Sequence, residues 1–221
     1  MMKHLKQIAL TVALLTITAF AFAEDAKLCS PFMDGKVDSA LLETMLSAAQ
    51  QGRLYRIEKS SSRVGFCVDS KLSRIEGSFT DFQGGMSLDH GGQGDGQTMV
   101  LIKTSSLQTG SKLVNSMVKG EHFFDAERHP EVLFVSDGFK WTGPETAVLR
   151  GQLTLRGITK PVIFNVKVTT VDDEPIDQAK RVLVKATTSI NRADFGMDEL
   201  TTVVEGNVQL CMSVEALKYE A

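Results

Sequence analysis

A chain of 221 residues and 24.1 kDa, 43% hydrophobic and 23% charged, holds enough apolar material for one sizeable core and is too short for two large domains. Lys+Arg 24 against Asp+Glu 27 gives a net charge of −3, which excludes the surplus of clustered cations that nucleic acid requires. With Gly 18, Pro 5, a mean hydropathy of −0.02 and no low-complexity tract, collagenous, disordered and polytopic membrane chains are excluded as well.

Residues 1–23 read as an address. Lys3, His4 and Lys6 precede an apolar run from Ile8 to Phe20, and Ala21-Phe22-Ala23 stands directly before Glu24. This is the pattern of a secretory signal peptide with an A-x-A site. The run falls short of the roughly 20 apolar residues of a retained anchor, and no cysteine follows the cleavage point as a lipoprotein would need. Cleavage removes Lys3 and Lys6 but no acid, leaving −5. The expected product is a periplasmic chain without a membrane span, in an oxidising space where Cys29, Cys67 and Cys211 allow at most one internal disulfide.

An N-terminal extension, 24–53, contains the first structural element. Over 38–51, Leu41, Leu42, Met45, Leu46 and Ala49 form an amphipathic helical stripe between a capping Asp38 and Gly52. From 54 to 221 the period changes to two. Val64, Phe66 and Val68 alternate with Gly65, Cys67 and Asp69, and Val162, Phe164, Val166 and Val168 with Ile163, Asn165, Lys167 and Thr169. Similar stretches at 77–88, 98–106, 132–140, 146–156, 181–190 and 203–216 predict about eight strands, after a short one at 54–58. One interruption, 111–122, places Leu113, Val114, Met117 and Val118 at helical spacing, a short crossover helix. Hairpin-length links argue for antiparallel β, arranged either as a closed barrel or as a two-sheet sandwich.

Catalytic signatures are absent. The chain has no G-x-S-x-G elbow, P-loop, H-E-x-x-H or dinucleotide fingerprint. Gly91-Gly92-Gln93-Gly94-Asp95-Gly96 lacks a following Lys-Ser/Thr and reads as a hairpin loop rather than an ion site. Glu121, His122, Asp125, Glu127 and His129 cluster locally, but none of the histidines pairs at a ligand spacing, and solvated loop residues are the better reading than a metal site. No metal, cofactor or catalytic residue is therefore assigned.

Other stretches carry a resemblance. Gly151-Gln152-Leu153-Thr154-Leu155-Arg156-Gly157-Ile158-Thr159-Lys160-Pro161-Val162 resembles the G-x-L-T-[LI]-[RH]-G-[VI]-T-[KR]-P-[VI] segment of the YceI-like family of secreted lipid-binding proteins. Ser106-Leu107-Gln108-Thr109-Gly110 is similar to that family's S-L-x-T-G. Phe123-Phe124-Asp125 with Pro130, Phe134 and Ser136 is similar to its F-F-D...P...F-x-S, and Arg192-Ala193-Asp194-Phe195-Gly196 to its R-x-D-F-G. The likeness spans about 54–216. It departs where the family often has histidines near both ends of its first strand, since this chain has Ser61, Ser62 and Ser70, and the helix before Gly52 precedes the usual start of the domain.

The resemblance implies an all-β fold, an antiparallel eight-stranded lipocalin-like barrel, here with a short crossover helix and an N-terminal amphipathic helix. It implies an apolar tunnel for a polyisoprenoid or other long-chain amphiphilic lipid, and often a homodimer. Phe66, Val68, Phe134, Trp141, Leu153, Val162, Phe164, Val166 and Phe195 are the expected lipid-binding residues. Such a lumen offers no acid, base or nucleophile, which suits a carrier and not an enzyme. Burying about fifteen chain carbons at ~0.8 kcal/mol each gives a ceiling of roughly 12 kcal/mol before ordering costs. A filled-core barrel acting through its surface, as an interaction or stress-response protein, is the alternative.

Several residues keep two readings. Arg192 and Asp194 either meet a polar head group or form a structural pair closing the barrel end, the second being preferred. Trp141 either lines the mouth or caps the core, and Arg156 with Lys160 reads as turn solvation rather than phosphate contact. If the apolar set faces the lumen, Cys67 and Cys211 lie on the outer wall, and Cys29 is expected to bond to one of them and pin the helix there.

Overall fold

The structure, a computed structural model, describes residues 39–88, 96–172, 174–176 and 178–220. Helix α1 (Ser39–Gln50) leads into β1 (Leu54–Ser70), β2 (Arg74–Phe79), β3 (Phe82–Ser87), β4 (Thr98–Lys103) and β5 (Leu107–Thr109). Helix α2 (Lys112–Lys119) follows, then β6 (Glu131–Trp141), β7 (Thr146–Leu155), β8 (Ile158–Thr170), β9 (Arg181–Asn191) and β10 (Val204–Lys218). The strands pair antiparallel in the order β10-β9-β8-β7-β6-β4-β3-β1-β2-β5, and β10 pairs back onto β1. β2 and β3 are two halves of one bent strand on β1, and β4 and β5 are halves of another, broken by the 3-10 turn Thr104–Ser106. The result is a closed eight-stranded antiparallel barrel, not a sandwich.

The segments expected at 54–58 and 64–68 are one strand. A bulge between Glu58 and Arg63 inserts an odd number of residues against β10. Tyr55 and Ile57 before it, and Val64, Phe66 and Val68 after it, therefore all face inward. The β7–β8 hairpin turns on Arg156 and Gly157, whose φ values of 52° and 72° are those of a tight turn matched to strand twist. Ser111 caps α2 by accepting a hydrogen bond from the Val114 amide.

One end of the barrel is filled. Tyr55, Leu88, Val168, Val182 and Ala216 are each at most 1% exposed, and the Tyr55 hydroxyl lies 2.8 Å from both the Ile176 and Ala179 carbonyl oxygens, donating to one at a time. The β8–β9 connection is thereby drawn across that end as a plug. Outside the barrel, Met45, Ala48 and Ala49 of α1 pack with Leu54 and Tyr219 in a small separate cluster. The side chains of Leu41 and Leu42, like Asp38, Cys29, the signal segment and the glycine stretch 91–95, lie outside the described residues.

Candidate functional site

The other half of the barrel is hollow. A cavity of about 100 Å³ is walled by β1, β2, β4, β6, β7, β8, β9 and β10 and roofed by α2, Phe123, Phe124, Arg192 and Met197. A single water needs roughly 10–15 Å³, so the space takes several atoms' width of ligand. Met117 both lines it and is 39% exposed, which puts the opening beside α2. A second cavity of about 30 Å³ lies deeper, and Val64, Val100 and Met212 belong to the walls of both. They form a neck. Thr98 lines the deeper space with a buried hydroxyl oxygen that has no hydrogen-bond partner.

Aromatic rings shape the upper chamber. Phe66, Phe79 and Phe124 form a cage with centroids 5.7 to 6.2 Å apart, and Phe134 meets Phe164 edge to face at 5.3 Å. Two glycines make room for these rings. A Cβ on Gly77 would stand 2.4 Å from the Phe66 ring, and one on Gly151 2.7 Å from Phe134. Each ring therefore lies close against a neighbouring strand, and the motif glycine at 151 is needed for that close approach.

Among the expected lipid-binding residues, Phe66, Val68, Phe134, Leu153 and Phe164 line the main cavity, and Val166 lines the deeper one. Trp141, Val162 and Phe195 do not. Trp141 ends β6 away from the opening and packs against Phe139 at 5.1 Å. Val162 faces inward, but its cross-strand partner Gly151 is covered by the Phe134 ring, which takes the luminal space at that level. Phe195 is 2% exposed in the 3-10 turn Arg192–Phe195, built into the core beside the cavity rather than in its wall. Met117, Phe124 and Met197 are wall residues that the alternation of strands did not single out. The adjacent apolar pairs at Met117-Val118 and Phe123-Phe124, off the strand pattern, were the available signal.

Among the described residues, Arg192 is the one charged side chain in the wall. It is 2% exposed, and its fork donates to the backbone carbonyls of Glu205 at 3.0 Å, Val204 at 3.1 Å and Met197. Burial lowers its pKa, with Asp198 acting in the opposite sense. Its partners are thus the carbonyls of the 197–205 stretch and not Asp194. The period-two argument fails here because the chain leaves β9 at Asn191 and enters a 3-10 turn. The guanidinium also lies 5.8 Å over the Phe123 ring.

Arg156 is more than a solvated turn residue. Its Nη1 donates to the carbonyls of Glu121 and Phe123, tying the β7–β8 turn to the roof. Beside it, Asp125 is buried, pairs with Arg128 Nε at 3.1 Å and lies 3.9 Å from His129 Nε2, while His122 is 3.7 Å from Glu121. These contacts are pairwise, and among the described residues no three His, Cys, Asp or Glu side chains converge on a point where a metal ion would sit.

Comparison with known proteins agrees with the geometry. Residues 55–216 match the model of the YceI-like domain. A UPF0312 protein of Pseudomonas putida strain W619 is 33% identical over 185 residues, 81% of this chain and 94% of that protein. One from Pseudomonas fluorescens is 33% identical over 161 residues, covering 68% and 81%. In fold, the chain is similar to Burkholderia cenocepacia BcnA, with TM-score 0.64 and 23% identity over 72% of this chain and 98% of that one. It is also similar to a polyisoprenoid binding domain from Saccharophagus degradans, with TM-score 0.58 and 15% identity over 74% and 98%. The chain belongs to the YceI-like family.

Proposed function

We propose that this YceI-like protein is a periplasmic binding protein that holds the tail of a polyisoprenoid or other long-chain amphiphilic lipid in its barrel, and that it is not an enzyme. The observation that carries the reading is the cavity itself: aromatic and aliphatic side chains on every wall, one buried guanidinium at the roof, and, among the described residues, no acid, base or nucleophile facing the space. Apolar contact of this kind supplies affinity without direction. The tail would thread through the opening beside Met117 towards the neck at Val64, Val100 and Met212. Its polar end would stay at the roof, where Arg192 has five N–H donors and three carbonyl acceptors in the fold. The name of the Saccharophagus domain supports a polyisoprenoid as the ligand class. The half-hollow lumen favours this reading over a barrel filled throughout.

The test is direct. Protein purified from its native host is extracted with organic solvent, and the extract and the intact chain are weighed by mass spectrometry. A long-chain lipid recovered with a chain beginning at Glu24 from the periplasmic fraction is expected. A lipid-free protein, or a full-length chain in the cytoplasm, would count against the binding and the compartment respectively.

A further inference from the structure

Cys67 and Cys211 sit on the outer face of the barrel seam, where the first and last strands meet. The ladder sets Cys67 opposite Gln209 and Gly65 opposite Cys211, so the cysteines are diagonal neighbours on one face of the sheet. Gly65 leaves the position facing Cys211 without a side chain, and Cys67 is near enough to act on the Cys211 thiol. Both are free and half-buried. Their neighbours Phe66, Leu210 and Met212 face the other way and line the ligand cavity, so the pair belongs to no part of that site.

A cation completes the arrangement. Arg74 Nη2 donates to Cys67 Sγ at 2.7 Å and to Gln209 Oε1 at 3.3 Å. Gln209 Oε1 also lies 3.3 Å from Cys67 Sγ, where it accepts a hydrogen bond from the thiol. The acids facing the pair are Asp69 and Glu76, and Arg74 engages both, at 3.1 and 3.7 Å. Burial first, and Cys67 next, push the Cys211 thiol up. The two sulfurs are thereby unlike: one touches a guanidinium, the other is held as a thiol.

We propose that Cys67 and Cys211 form a redox-active dithiol that exchanges with a low-molecular-weight disulfide and closes reversibly into a disulfide across the barrel seam. Cys67 Sγ, having lost its proton, attacks one sulfur of the small disulfide; that S–S bond breaks, and the first thiol leaves and takes up a proton. Cys211 then loses its proton to solvent and attacks Cys67 Sγ, expelling the second thiol, which is protonated in turn. The dithiol has lost two electrons and two protons, and the small disulfide has gained both as two thiols. Arg74 stands where each anionic sulfur of Cys67 forms or departs. The closed form ties β1 to β10 along the stretch whose inner side is cavity wall.

Reduced full-chain protein is incubated with oxidised glutathione at neutral pH, quenched in acid, alkylated and mapped without reductant. A peptide linking Cys67 to Cys211 is expected as the main product, and reduced glutathione should reverse it. Cys211→Ser should stop at glutathionylated Cys67, and Arg74→Gln should slow that first step about tenfold. The proposal is overturned if both thiols stay free at a dose that oxidises the urea-unfolded chain. It is equally overturned if wild type accumulates only the mixed disulfide, or if Cys29 takes either partner.

Discussion

Replacing Phe164 with Trp separates a hollow lumen from a filled one. Phe164 is 2% exposed, on β8, edge to face with Phe134, and part of the main cavity wall. In a close-packed core the larger indole has nowhere to go, and overpacking costs about 1–3 kcal/mol. For a domain of this size each kcal/mol moves the thermal midpoint by roughly 2–4 °C, so a filled barrel would melt about 2–12 °C lower. Here the ring faces about 100 Å³ of open space, room for several waters at roughly 10–15 Å³ each, and the indole takes volume that would otherwise hold ligand. The midpoint of delipidated Phe164→Trp should therefore stay within about 2 °C of delipidated wild type, while the lipid recovered per chain falls. Delipidation matters because bound ligand adds its own stabilisation to wild type. Calorimetry on delipidated samples, paired with lipid quantification on native ones, is the assay. A variant that melts about 5 °C or more lower while carrying wild-type lipid would refute the hollow lumen.

Tyr55→Phe removes the hydroxyl that reaches the Ile176 and Ala179 carbonyls; it should cost about 1–2 kcal/mol in denaturant unfolding yet leave lipid content unchanged, because the plug lies at the filled end. Met212→Ala opens the neck between the cavities of about 100 and 30 Å³; at a stability cost of about 2 kcal/mol or more, it should shift the extracted lipids to longer chains in mass spectrometry. Thr98→Val exchanges a buried hydroxyl without a partner for a methyl group of the same shape, and urea melts should show a gain of about 1 kcal/mol. Arg192→Met strands three carbonyl acceptors; it should lower stability by about 3 kcal/mol, and head-group discrimination should be lost in competition between charged and neutral amphiphiles of one chain length.

The amino-acid sequence by itself determined which segments are strands and which of their faces is apolar, because successive Cβ atoms point to opposite sides. Hence Phe66, Val68, Phe134, Leu153, Phe164 and Val166 all turn towards the lumen. It also determined the short helix after β5, through helical spacing at Val114 and Val118, and the β7–β8 turn at Arg156-Gly157. Alternation says nothing of depth along the barrel axis, which is why Val162 shares the inward face and yet lies at a level the Phe134 ring occupies, and why Trp141 falls at the wrong end. Spacing also fails once a strand ends, as Arg192 and Asp194 show. Only the tertiary structure decided that β1 runs through a bulge and pairs with β10, that Tyr55 and the β8–β9 connection fill one end, and that Gly77 and Gly151 lie under rings at the other. Those features depend on where distant strands come to rest against one another, and the free energy of that packing is not a property of any single segment.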